Sequence, residues 1–269
     1  CKRFLDALYE GKNNSVFGVV KADHDAPLMH GDMAYTNYQL LNTLGLTREG
    51  IGKLLEPSFR YLQDMLDRSP VLRYQINMTT DHATIAEKEL PDLAKYRRDT
   101  VLDMTCRTPL FEQTEFYKSF RSDTTKYFKR RLKKGRVAVC GNYQVLFGNA
   151  YEFLVALTDE SYEPTFSFSL EDGQVCTTGF AHAEMVLCAR SPHITMGNLY
   201  LARNTHSYDL LRYFNLTPNI ICVNAIESNI QQRLNGCDYD SDSMLVTNNE
   251  WIVNGAVHAY DILKVPVCR

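Results

Sequence analysis

The chain of 269 residues is 45% hydrophobic and 23% charged, the composition of a globular protein with one large or two ordinary domains. Its net charge of −3 at pH 7 excludes a chain that is basic throughout, yet leaves room for a local basic groove. No apolar run reaches the length of a membrane span and no secretory signal is visible, so no membrane partner is expected.

The eight cysteines, Cys1, Cys106, Cys140, Cys176, Cys188, Cys222, Cys237 and Cys268, are scattered without a Cys-x-x-Cys pair. In a chain of this size that pattern predicts reduced, mostly buried thiols and a cytoplasmic setting, not a disulfide frame or a zinc site. The chain opens on Cys1 and stops abruptly after Val265-Pro266-Val267-Cys268-Arg269, so a segment of a longer polypeptide is expected.

Val16 to Lys21 is a short β-branched run and reads as a strand. Asp23, His24, Asp25 and His30 follow it without ligand spacing and read as a polar loop. From Tyr35 to Arg68 the pattern is helical. Thr47, with Gly50 three residues later, resembles a helix cap. Ile51, Leu54, Leu55, Phe59, Leu62, Met65 and Leu66 recur at three and four and make one apolar face. Pro57 is expected to start a new helix or kink this one. Glu87 to Tyr127 is again mostly helical, broken near Pro91 and Pro109.

Between Lys118 and Arg136 the character changes. Lys118, Arg121, Lys126, Lys129, Arg130, Arg131, Lys133, Lys134 and Arg136 are opposed only by Asp123, with Phe120, Tyr127 and Phe128 interleaved. Basic residues among aromatics suit a nucleic-acid backbone and its bases; the bland alternative is a solvated helix face. This stretch reads as the hinge between a helical half and a β half.

After Gly135 the periodicity is that of strands: Arg136–Cys140, Tyr143–Phe147, Gln174–Thr178, Glu184–Ala189, Asn219–Asn224 and Ser243–Thr247, with a short helix over Ala150–Leu157. Many short strands joined by turns and small helices indicate a compact barrel more than a parallel α/β sheet. His182, His193 and His206 share no ligand spacing and read as core or turn histidines. Glu184 is a candidate further acid, with a strand-surface role the simpler reading. Trp251 and Tyr260 read as core or interface.

The stretch around which the rest is organised is Asn235-Gly236-Cys237-Asp238-Tyr239-Asp240-Ser241-Asp242-Ser243. Three aspartates at alternate positions share one face of a strand or converge in a tight loop. Carboxylates forced together raise one another's pKa unless a cation sits among them, which points to a hard divalent ion with oxygen ligands, Mg2+ first and Mn2+ second. An EF-hand fails twice: Ser243 takes the glycine place and Asn249 the twelfth position. A phosphoaspartate hydrolase would need an apolar strand running into the first Asp and Thr or Val after the second, and has neither. The remaining alternative is a solvated acidic turn.

Gly135-Arg136-Val137-Ala138-Val139, Gly141-Asn142-Tyr143, Ala189-Arg190-Ser191-Pro192 and the aspartate loop occur in an order that resembles the catalytic double-psi β-barrel of the two-barrel RNA polymerases. That group includes the largest subunit of DNA-dependent RNA polymerase, the RNA-silencing RNA-dependent RNA polymerases, and single-chain polymerases of phages and their bacterial hosts. The resemblance covers Lys134 to Asn249 and rests on the Arg-x-Pro and the aspartate loop together.

It implies an α+β chain, with a mainly helical region over 1–133 and a double-psi β-barrel over 134–269. It implies a metal held by Asp238, Asp240 and Asp242, and Arg190 near the ribose 2′-hydroxyl of a ribonucleoside triphosphate. Pro192 would fix the chain direction after it. Lys126, Lys129, Arg130, Arg131, Lys133 and Lys134 would lie on a template or RNA product. Taken alone, Arg190 reads as a surface ion-pair partner. The partner barrel that supplies lysines in the family is not recognisable; Lys21 and the basic residues near Lys134 are the only candidates. Ser241 stands where the family has glycine, and a backbone there with φ > 0 would strain it. The alternative function is a degenerate, non-catalytic polymerase-like domain that binds nucleic acid or a partner subunit.

Overall fold

The structure, a computed structural model, describes residues 33–78, 91–159, 161–226 and 228–265. The predicted strand Val16–Lys21 and the polar loop with Asp23, His24, Asp25 and His30 lie outside them. Two compact units form: one takes Tyr35–Leu41 and Leu46–Ala138, the other Asn42–Gly45 and Val139 onward.

The first unit is helical. After a short α1 (Tyr38–Thr43) come α2 (Arg48–Asp67), α3 (Ser69–Met78), α4 (Pro91–Arg107), a 3-10 turn (Pro109–Gln113) and α5 (Glu115–Lys133). Thr47 caps α2 by accepting from the Gly50 amide at 3.1 Å, and Thr114 caps α5 by accepting from Tyr117 at 3.2 Å. Pro109 ends α4 and opens the 3-10 turn, as its fixed φ and missing donor require.

Pro57 starts no new helix: α2 runs through it from Arg48 to Asp67. The ring sits on the exposed side. Leu54, Ser58, Leu62 and Met65 keep the buried stripe in register on the other side. Leu62 and Met65 pack with Phe128 of α5; Leu72 and Ile76 pack with Val101 and Tyr117.

The second unit is the barrel. A two-stranded sheet pairs β1 (Met33–Tyr35) with β2 (Ala138–Cys140). The strand predicted from Arg136 begins two residues later, at Ala138, and the Val137 carbonyl before it accepts the Thr36 amide at 2.9 Å. Six strands then close in the order β3-β7-β4-β6-β5-β8. Their ranges are β3 Asn142–Gly148, β4 Gln174–Cys176, β5 Met185–Ala189, β6 Tyr200–Asn204, β7 Ile220–Val223 and β8 Ser243–Thr247.

The ring is two-fold symmetric in its topology. Exchanging the first three barrel strands for the last three returns the same cyclic order. Parallel pair β3–β7 maps onto parallel pair β6–β4, and antiparallel β3–β8 onto antiparallel β6–β5. The antiparallel pairs β4–β7 and β5–β8 map onto themselves. This interlocked pattern is a double-psi β-barrel.

Alternation along the strands makes the interior. Leu146, Val175, Val186, Ala202, Ile221, Val223, Met244 and Val246 form one buried cluster. Their neighbours Cys176 and Cys222, with Phe147, face a second cluster with Ala150 and Leu210. Those two residues lie on α6 (Ala150–Thr158) and α7 (Tyr208–Tyr213). The short α8 (Ile230–Arg233) inserts Ile230 into the interior, joined by Leu234 and Cys237. The last helix, α9 (Glu250–Tyr260), is capped by Asn249 and packs on β5 and β6. Cys176, Cys188, Cys222 and Cys237 are free, buried thiols. Among the described residues no helix is long and apolar enough to cross a membrane.

Ile221 is fully buried in the interior cluster. Ile221→Ala is expected to cost about 2–5 kcal/mol in chemical denaturation, the range for emptying a packed site. A loss below about 1 kcal/mol would contradict a close-packed barrel interior.

Candidate metal centre

The loop from Leu234 to Asp242 joins α8 to β8. It leaves the helix through a left-handed corner, with φ of 57° at Asn235 and 63° at Gly236. Their amides turn back onto the carbonyls of Gln232 at 3.2 Å and Gln231 at 2.7 Å, closing the helix end. Cys237 then drops into the barrel interior. Tyr239 lays its ring on Gly148 at the end of β3, so close that a Cβ there would fall 2.5–2.7 Å from ring carbons. Only glycine permits that approach. The Asp242 carbonyl accepts the Leu146 amide at 2.9 Å and fixes the loop to β3 before β8 begins.

With Cys237 buried and the exposed Tyr239 laid across Gly148, the alternate residues are left to the other side. One carboxylate oxygen from each of Asp238, Asp240 and Asp242 lies within 4.8 Å of the others. Asp238 and Asp240 are exposed and Asp242 is partly buried. The Asp238 carboxyl is raised above its ordinary range, first by a hydrogen bond shared with Asp240, then by burial and by the charges of Asp240 and Asp242. For Asp242, burial pushes upward. The hydrogen bonds from Arg190 and the Asp238 amide, with the Arg190 charge, outweigh it and hold the carboxyl low.

Arg190 follows the last residue of β5. Its Nη2 lies 2.6 Å from Asp242 Oδ2, with both side chains only about a fifth exposed (19% and 20%). Its Nη1 donates to the Asn235 carbonyl at 3.2 Å and reaches the Leu234 carbonyl at 3.5 Å. Pro192 joins the same frame: its carbonyl accepts from Asn235 Nδ2 at 3.0 Å. Sequence reasoning missed Asn198, a buried residue that ties this segment to α8. Its Oδ1 accepts from Ile194 and Thr195 at 3.0 and 2.7 Å, and its Nδ2 donates to Gln232 O at 3.2 Å. A lone asparagine carries no sequence signal for such a role.

The donor set fits a hard cation. Three carboxylates offer oxygen only, as Mg2+ or Mn2+ prefers. The adjacent Cys237 thiol is buried in the barrel interior cluster and is not part of the carboxylate group. Glu184 does not join the cluster: it accepts the Ala181 amide at 3.0 Å and the Asn248 side chain at 2.8 Å. His182 and His206 brace a turn, with the His206 amide donating to His182 Nδ1 at 3.1 Å.

The basic stretch divides on α5. Lys118 pairs with Glu115 at 2.9 Å and Lys126 with Asp123 at 3.9 Å. Arg121 donates to the Leu66 carbonyl at 3.1 Å, and Arg131 lies over the Tyr35 ring at 4.2 Å. Lys129, Arg130, Lys133, Lys134 and Arg136 are exposed. Of the residues predicted to meet nucleic acid, Lys129, Arg130, Lys133 and Lys134 are exposed and have no ion pair among the described residues, while Lys126 and Arg131 hold intramolecular partners.

No protein-family model and no curated protein matches the chain. Among solved structures, the RNA dependent RNA polymerase QDE-1 from Thielavia terrestris is similar in fold, with a TM-score of 0.55 and 16% identity. The match covers 88% of this chain and 26% of that polymerase, so the chain spans about a quarter of its length. The chain has an α+β fold built on a double-psi β-barrel.

Ser241, between two of the aspartates, has φ of 106°, a region that favours glycine. Relief of such strain, worth about 1–3 kcal/mol, outweighs the roughly 0.5–1 kcal/mol that glycine's extra freedom costs. Ser241→Gly is therefore expected to raise stability by about 1 kcal/mol in thermal or denaturant unfolding. An unchanged or lowered midpoint would contradict strain at this position.

Proposed function

We propose that the chain carries the metal-binding half of an RNA-polymerase-type nucleotidyltransferase, which adds ribonucleoside triphosphates to an RNA 3′ end on a nucleic-acid template. The observation that carries this reading is the convergence of Asp238, Asp240 and Asp242 at the entry to a barrel strand, with Arg190 drawn onto the same loop. The three carboxylates offer an all-oxygen donor set suited to a hard divalent cation. The fold likeness to an RNA dependent RNA polymerase supports the same reading.

Asp238, Asp240 and Asp242 would hold Mg2+, with Mn2+ as a substitute. When bound, that ion supplies acidification of a 3′-hydroxyl and charge neutralisation on the phosphates of the incoming nucleotide. The chain's own residues orient. Arg190 presents a guanidinium beside the carboxylates, where the family resemblance expects the ribose 2′-hydroxyl. Pro192 holds the backbone after it and accepts from Asn235. The exposed cations at the end of α5 are suited to a phosphate backbone. Buried free thiols suit a reducing compartment such as the cytoplasm.

A second reading is a non-catalytic polymerase-like module that binds nucleic acid or a partner subunit. The strained Ser241 and the single closed barrel among the described residues favour it. Primer extension separates the two. The full-length protein with Mg2+ and ribonucleoside triphosphates is expected to give product that Asp240→Ala abolishes. Equal product from both would reject the assignment. No product from either, with nucleic-acid binding retained, would favour the module.

The basic face makes a separate prediction. Every phosphate that a side chain no longer neutralises lowers the slope of log K against log salt by about 0.7 on single-stranded nucleic acid. Replacing Lys129, Arg130, Lys133 and Lys134 by glutamine should therefore flatten that slope by about 3. An unchanged slope would place nucleic acid elsewhere.

A further inference from the structure

We propose that Arg190 is a positioning residue for the aspartate loop: it carries the resident positive charge that keeps the three carboxylates gathered before a cation arrives and while it is bound. The inference rests on the metal-site reading above and assigns Arg190 a duty beyond any contact with the ribose.

Three features carry it. First, one guanidinium spans the loop. Its Nη2 holds Asp242 Oδ2, next to β8, while its Nη1 holds the carbonyls of the left-handed corner at Leu234 and Asn235. The two ends of the loop are thus joined through a single planar fork, a geometry lysine cannot reproduce. Second, Asp242 Oδ2 also accepts the Asp238 amide at 3.1 Å, so the carboxylate that Arg190 holds in turn orients the first aspartate of the cluster. Third, the segment bearing Arg190 is itself braced against the loop. Pro192 O accepts from Asn235, and Asn198 Nδ2 reaches Gln232 O. Arg233, at the end of α8, donates to the Leu263 carbonyl at 3.2 Å and lies 4.0 Å from the Tyr260 ring. Arg190 follows Ala189, which pairs with Leu245 of β8, so its grip on Asp242 joins the end of β5 to the carboxylates.

The proposal makes a prediction of sign. If Arg190 were only a like charge competing with the metal for Asp242, its removal would tighten cation binding. If it positions the loop, its removal loosens binding even though a repelling charge has gone.

The experiment uses Mn2+ itself as the probe, titrated by electron paramagnetic resonance, with amide hydrogen exchange on the same proteins. Arg190→Gln is expected to bind Mn2+ about 10-fold or more weakly, the range for losing a residue that orients a ligand. Exchange at the Asp238 amide should accelerate while the β5 and β8 amides stay protected. Arg190→Lys, which keeps the charge and loses the fork, should fall between the two and serves if the glutamine variant does not fold. Tighter Mn2+ binding in Arg190→Gln would overturn the proposal, as would an unchanged Asp238 amide. A parent that binds no Mn2+, with the Asp238 amide still released by Arg190→Gln, would reject the metal reading and leave the positioning role standing.

Discussion

The crowding of Asp238, Asp240 and Asp242 is the constraint on which the rest of the site depends. Like charges gathered within 4.8 Å repel, and an unsupported loop would relax by splaying them into water. The chain prevents this from three directions. Cys237 buries in the interior and the Tyr239 ring rests on Gly148, Arg190 neutralises Asp242, and the Asp242 carbonyl bonds to β3. The loop is thus a concentration of negative charge held against its own electrostatics.

The barrel supplies the rigidity. A closed ring has no free edge, and each strand is hydrogen-bonded on both sides. Arg190 leaves the end of β5 and the aspartate loop feeds β8, and these two strands are neighbours in the ring, with Ala189 opposite Leu245. That register explains how residues distant in sequence meet at 2.6 Å. It also explains why the guanidinium is only partly exposed, a setting in which an ion pair is screened less than on an open surface.

Much of this was legible in the sequence, for identifiable reasons. The strand Ser243–Thr247 was marked by its apolar Met244-Leu245-Val246 run after a Ser/Asp turn, and its bounds coincide with β8. The Asp-x-Asp-x-Asp spacing allowed convergence, and the φ of Ser241 falls where a glycine was expected. Strand β6 was not legible, because Tyr200-Leu201-Ala202-Arg203-Asn204 lacks both β-branched residues and turn signals. It is a strand because β4 and β5 pair with it on either side. Pro57 starts no helix because Leu54, Ser58 and Leu62 carry one buried stripe past it. The basic stretch was read as one surface, but aromatic rings and nearby acids claim Arg131, Lys118 and Lys126. Asn198 was invisible, since its role exists only once two distant loops are brought together.

The central claim is that the three carboxylates form a site for one divalent cation, and the most direct measurement is a Mn2+ titration of the parent beside Asp238→Ala. The account predicts saturable binding of a single Mn2+, displaced by Mg2+ and lost in Asp238→Ala. Binding that never saturates, or that survives the substitution unchanged, would contradict it.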